Sequence, residues 1–130
     1  TEDGLLVPVI KVADSKKILD LAKEIEDLAE KARNRTIDLM DLRGGTFTIT
    51  NVGSIGGLYF APIINYPESA ILGLGRIHDA PLVVNGKVQI RKVLPISISF
   101  NHRILDGAEA ARFANKIKEL LEDPDEFIIE

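Results

Sequence analysis

The chain has no cysteine and no tryptophan. Without cysteine there is no disulfide, no thiolate metal site and no thiol nucleophile of the protein's own. That usage is compatible with a reducing compartment. Aromatic residues make up only 5% of the sequence, too few to suggest a platform for stacking bases. Positive charge is short as well. Sixteen Lys and Arg face 20 Asp and Glu, the net charge is −4, and no basic cluster occurs, which argues against a nucleic-acid surface. No apolar run approaches the roughly 18 residues of a membrane span. His78 and His102 are the two histidines, far apart in sequence, and no carboxylates cluster at ligand spacing, so no metal site is expected.

What is present is one domain's worth of chain at most: 130 residues, 45% of them hydrophobic, enough for a core. Residues 5–12 form a β-rich run in which Pro8 predicts an edge strand or a bulge. Asp14 or Ser15 is placed to cap a helix that runs to about Arg33. Ile18, Leu21, Ala22, Ile25, Leu28, Ala29 and Ala32 fall on one face of it, opposite a mixed-charge face that reads as solvated surface. Residues 35–43 read as a linker with a short turn at 38–42. A β-branched strand follows over 46–50, then a loop over 51–57, an apolar stretch over 58–66 and a strand over 70–77. His78 falls in the turn after that strand and reads as a surface histidine. Asn85-Gly86 between alternating runs predicts a hairpin over 82–90. A strand then leads from Pro95 to Phe100, and a helix over 108–121 is stopped by Asp123-Pro124. Phe127, Ile128 and Ile129 form a terminal apolar patch, suited to packing on its own domain or on another subunit. Helices bracket a strand-rich middle, which predicts an α+β two-layer sandwich: a mixed sheet with helices on one side.

His102 stands at a strand-to-helix junction, where two rigid elements hold a side chain that can face a cleft. Imidazole changes charge near neutral pH and so suits general-base work there. On its chemistry alone, a lone histidine more often reads as a surface or satisfied core residue. Asp106 and Glu109 match D-x-x-E, an N-cap with its capping-box partner. The loop holding Asn51, Gly53, Ser54, Gly56 and Gly57 has two readings. Glycine-rich backbone can cradle phosphates, but this one matches no nucleotide motif, and a tight turn that permits close backbone approach accounts for it as well.

The run Asn101-His102-Arg103-Ile104-Leu105-Asp106-Gly107 resembles the D-H-R-x-x-D-G signature of the dihydrolipoamide acyltransferases, the cores of the 2-oxo-acid dehydrogenase complexes. Its shorter form, H-x-x-x-D-G, is shared with chloramphenicol acetyltransferase. Two further blocks agree: Gly45-Thr46-Phe47-Thr48-Ile49-Thr50-Asn51-Val52-Gly53-Ser54-Ile55-Gly56-Gly57, and Pro62-Ile63-Ile64-Asn65-Tyr66-Pro67-Glu68-Ser69-Ala70-Ile71-Leu72-Gly73. One departure stands out: Asn101 occupies the place of the signature's first aspartate, keeping a hydrogen-bonding side chain and losing a charge.

The resemblance implies a chloramphenicol acetyltransferase-like fold, with residues 1–130 as the C-terminal half of the catalytic domain. It implies acyl transfer between dihydrolipoamide and coenzyme A, of acetyl or branched-chain type rather than succinyl. His102 would be the general base, and Thr50 would donate to the oxyanion. Asp106 would hold the local geometry through an ion pair whose usual arginine lies in the other half of the domain. The acyl carrier would be a lipoyl group on a separate domain. The implied partners are further copies in trimers and larger hollow cores, the lipoyl domain, and the decarboxylase and dihydrolipoamide dehydrogenase components; nucleic acid and membrane are not among them. The setting would be cytoplasmic, or the mitochondrial matrix in a eukaryote. A non-catalytic scaffold of the same fold and a stand-alone small-molecule acetyltransferase are the rival readings.

Overall fold

The computed structural model describes residue 1 and residues 4–124, so the patch of Phe127, Ile128 and Ile129 lies outside the described residues. The chain divides into two compact units: Thr1–Thr46 with Asp123–Glu130, and Phe47–Glu122.

In the first unit, helix α1 spans Ile18–Arg33 and buries Leu28 and Ala32. It begins later than its sequence predicts. Val12 adopts the left-handed conformation (φ 49°), Ala13–Ser15 form a single 3-10 turn, and Lys16 and Lys17 are extended. Asp14 and Ser15 therefore lie in a separate turn, and α1 starts without a side-chain cap. Residues 5–10 are not a strand either. Pro8 has no N–H to give, and no strand among the described residues pairs with the segment; Val9 N–H donates instead to Asp41 O at 2.7 Å. The turn expected at 38–42 is present as a 3-10 helix, Leu39–Leu42. Asp38 caps it by accepting from Met40 N–H at 2.8 Å.

The second unit contains strands β1 (Thr48–Asn51), β2 (Ala70–Leu74), β3 (His78–Val84), β4 (Lys87–Val93) and β5 (Ile96–Phe100), followed by helix α2 (Gly107–Glu122). β1, β2 and β5 form a mixed sheet in that order, β1 parallel and β5 antiparallel to β2. The central strand carries the continuous apolar run Ala70-Ile71-Leu72, all buried, as expected of a strand covered on both faces. β2 stops at Leu74 rather than Ile77 because Arg76 N–H turns away to Gly57 O at 2.7 Å. α2 buries Ala110, and its Phe113 ring meets Phe47 edge-on at 5.6 Å.

Among the described residues β3 and β4 pair only with each other, as a separate two-stranded sheet. Asn85 (φ 51°) and Gly86 (φ 74°) both take positive φ between them, which a two-residue hairpin turn of the primed kind requires. The hairpin is longer than the predicted 82–90. It starts at His78, so that histidine opens a strand rather than sitting in a turn, with Nδ1 3.2 Å from Arg76 O. Among the described residues two α-helices and two sheets thus give the expected α+β class, with the hairpin as a sheet of its own.

Candidate active site

His102 lies in the turn that follows β5. Asn101 builds this turn. Its N–H donates to Ser69 O at 2.8 Å, and its carbonyl accepts from Ile104 N–H (2.9 Å) and Leu105 N–H (3.1 Å). Its side-chain Oδ1 accepts from Arg103 N–H at 3.1 Å, closing the loop from inside. An aspartate carboxylate could accept that bond equally well, so the Asn for Asp exchange keeps the turn's geometry. The His102 side chain is exposed. Its ring lies 5.5 Å from the Phe100 ring, centroid to centroid, and neither ring nitrogen has a hydrogen-bond partner among the described residues. It is positioned by the backbone of the turn and open to solvent.

Asp106 takes the capping position four residues on. Its Oδ1 accepts from Glu109 N–H at 2.8 Å, and Glu109 Oε2 accepts from Asp106 N–H at 3.3 Å, a reciprocal capping box at the start of α2. Asp106 therefore fixes where the helix begins, and with it the far end of the His102 turn.

Thr50 sits on β1, half-buried, its hydroxyl without a partner among the described residues. It is register-paired with Gly73 of β2. A Cβ on Gly73 would lie 2.6 Å from Phe60 Cζ, so the Phe60 ring fills the space beside Thr50 that a side chain at 73 would take. Two residues earlier, Thr48 is buried and its hydroxyl donates to Glu68 Oε2 at 2.6 Å. The sequence points to neither of these contacts, since each joins residues distant along the chain.

The sheet places the expected pair at diagonal corners. Phe100 pairs with Ala70 while Thr50 pairs with Gly73. Three residues along and two strands across amount to about 14 Å between Thr50 and Phe100, with His102 beyond the end of β5. One chain thus joins His102 to Asp106 on a single junction and leaves Thr50 apart from both.

Four backbone donors of the loop over 51–57 are spent within it, and Val52 N–H goes to Leu74 O at 3.0 Å. Gly53 N–H donates to Asn51 Oδ1, Ile55 and Gly57 N–H to Val52 O, and Gly56 N–H to Gly53 O. That is the arrangement of a closed turn, not of amides aimed at a phosphate. Among the described residues no three His, Asp or Glu side chains gather as metal ligands would. An apolar cavity of about 320 Å³ lies in the first unit, lined by residues such as Leu6, Ile10, Ile25 and Leu28, and none of the site residues borders it.

A sequence profile of the 2-oxoacid dehydrogenases acyltransferase catalytic domain matches residues 1–129. The chain belongs to this acyltransferase family. It is 48% identical over 130 residues to the dihydrolipoyllysine-residue acetyltransferase component of the Bacillus subtilis pyruvate dehydrogenase complex, covering 100% of this chain and 29% of that protein. The structure matches the dihydrolipoamide acetyltransferase of Azotobacter vinelandii with a TM-score of 0.90 at 47% identity, over 93% of this chain and 50% of that one. It matches the cubic core of a pyruvate dehydrogenase multienzyme complex with a TM-score of 0.90 at 48% identity and the same coverage. The chain thus spans half the length of these solved acyltransferase cores and less than a third of the curated relative. In the Azotobacter acyltransferase a serine, a histidine and an asparagine were studied for their role in the catalytic mechanism. They are spaced along that chain as Thr50, His102 and Asp106 are along this one.

Proposed function

We propose that this chain is half of an acyltransferase domain, the C-terminal half, that transfers an acetyl group between dihydrolipoamide and coenzyme A. The observation that carries the reading is the exposed His102 on a backbone-locked turn, with Thr50 and Asp106 at the spacing of the residues studied in the Azotobacter acetyltransferase. The named relatives favour acetyl over the branched-chain alternative.

Thioester exchange needs a base, an oxyanion donor and little else. The proton of the dihydrolipoamide thiol passes to the His102 imidazole as its sulfur bonds to the acetyl carbonyl carbon. The carbonyl electron pair moves onto oxygen, where a hydroxyl donor stabilises it. Collapse re-forms the carbonyl and breaks the bond to the coenzyme A sulfur, which takes the proton back from the imidazolium. No protein nucleophile is required, consistent with a cysteine-free chain.

The diagonal separation of Thr50 and His102 supports a site shared between copies, with Thr50 of one subunit donating to the oxyanion beside His102 of the next. Self-association into trimers, and of trimers into a hollow core, follows from that reading. The lipoyl domain and the other enzymes of a 2-oxo-acid dehydrogenase complex would be its partners. Asp106 acts here through the cap.

The test is turnover of acetyl-, isobutyryl- and succinyl-CoA with dihydrolipoamide by the assembled full-length protein, with His102→Ala alongside. Acetyl transfer that disappears in the variant supports the reading. Preference for isobutyryl-CoA would change the acyl class. An intact assembly with no turnover on any of the three would make the chain a scaffold.

A further inference from the structure

We propose that Glu68 is a positioning residue for His102, bracing the base-bearing turn against strand β1 through the Thr48 hydroxyl. The proposal rests on the acetyl-transfer reading above.

The bonds form one continuous path. Thr48, a buried polar residue of β1, donates to Glu68 Oε2 at 2.6 Å. The other carboxylate oxygen accepts from Asn65 Nδ2 at 3.4 Å, and Glu68 N–H donates to Asn65 O at 2.9 Å, so residues 65–68 close on themselves. The next carbonyl, that of Ser69, accepts from Asn101 N–H at 2.8 Å, and Asn101 builds the turn that carries His102. Nothing among the described residues holds the imidazole by a hydrogen bond, so its placement rests on this turn and on the Phe100 ring beside it. The turn is held from outside at Ser69 and from inside by Asn101, and Ser69 is itself held through its neighbour Glu68.

The chemistry of the brace is also unusual for a plain staple. Glu68 is half-buried, yet among the described residues its partners are two neutral donors, with no Lys, Arg or His paired to it. Partly removing a carboxylate from water is costly, and the one short bond that offsets it is the 2.6 Å bond from Thr48. A misaligned base loses rate steeply even when substrate still binds. Loosening the brace should therefore lower kcat and leave KM in place.

The experiment measures kcat and KM for acetyl-CoA and dihydrolipoamide in the assembled full-length protein, with the mass of the assembly recorded for every variant. Glu68→Ala is expected to lower kcat by about 30-fold with KM within about twofold. Glu68→Gln, whose amide oxygen still accepts from Thr48, should recover kcat to within about threefold of the parent. Thr48→Val, which deletes the hydroxyl at nearly constant volume, should lower kcat by about tenfold, again at constant KM. If Glu68→Ala or Thr48→Val assembles normally with kcat within about threefold of the parent, the positioning role is overturned. It is equally overturned if KM rises while kcat holds, if Gln is as impaired as Ala, or if neither Glu68→Ala nor Thr48→Val assembles, which would make the brace a folding element. His102→Ala separates the two levels. Turnover that survives it overturns the acetyl-transfer reading itself, whereas turnover abolished there and unaffected by Glu68→Ala overturns only the brace.

Discussion

The two sheets of the second unit both contain Val, Ile or Leu and expose these residues very differently. In the mixed sheet, Ala70, Ile71 and Leu72 of β2 are each only 5% exposed. In the hairpin, Val83, Val88 and Ile90 are 74%, 73% and 77% exposed, and Val83 and Val88 face each other across the strands. β2 has a strand on both edges; β3 and β4 have only each other. The proposed site residues also go with the mixed sheet, Thr50 on its first strand and His102 following its last, while the hairpin holds none of them. The buried apolar residues thus sit on the strand with neighbours on both edges, and the exposed ones on the pair that also carries Asp79, Lys87, Arg91 and Lys92.

The two histidines give the sharpest contrast. His102→Ala is expected to lower acetyl transfer by about 10²–10⁴-fold, whereas His78→Ala, at the head of the hairpin, should leave turnover within about twofold. Steady-state rates on the assembled protein decide it, and equal losses at both positions would break the division between the sheets.

Packing gives the next largest effect. Leu72→Ala in β2 should cost about 2–5 kcal/mol, while Val88→Ala in the hairpin should cost about 0.5 kcal/mol or less. Urea unfolding of the assembled protein measures both. A cost at Val88 approaching that at Leu72 would mean that the hairpin's apolar face is covered in the assembly.

At the junction itself, Asp106→Ala removes the cap of α2 and should cost about 1 kcal/mol, with Asp106→Asn costing only a few tenths because the amide oxygen still accepts from Glu109 N–H. The same unfolding experiment reads both variants. Asn101→Asp is expected to leave turnover within about tenfold, since Oδ1 of either residue closes the turn on Arg103. A loss of several hundredfold would show that the neutral side chain matters beyond its geometry. The smallest effect is expected in the hairpin again. Lys92→Ala removes the exposed ion pair with Asp79 (2.9 Å) and should change stability by less than about 1 kcal/mol.

What could be read from the sequence was what is local. The hairpin followed from Asn85-Gly86, because only a few residue types tolerate consecutive positive φ. The second helix followed from its apolar spacing, and its cap from Asp106 and Glu109, three residues apart and within reach of each other's backbone. The start of α1 was misplaced because Asp14 and Ser15 are good caps in isolation, and nothing in their own chemistry reports that Val12 turns left-handed and Lys17 stays extended. The strand expected over 5–12 failed for a related reason: β propensity offers donors and acceptors but cannot supply the partner strand that satisfies them.

The site divides along the same line. Its residue types and their spacing lie in the chain itself: His102 at a strand-to-helix junction, Asp106 four residues on, Thr50 on a β-branched strand, and these were legible in one dimension. That Thr50 lies diagonally across the sheet from Phe100, beyond which His102 follows, was decided by register, which pairs Thr50 with Gly73 and Phe100 with Ala70. That Glu68 reaches Thr48, and Ser69 reaches Asn101, was decided by folding alone. These contacts join residues 20 or more positions apart, and a hydrogen bond between such groups exists only once β1, β2 and β5 have been brought side by side.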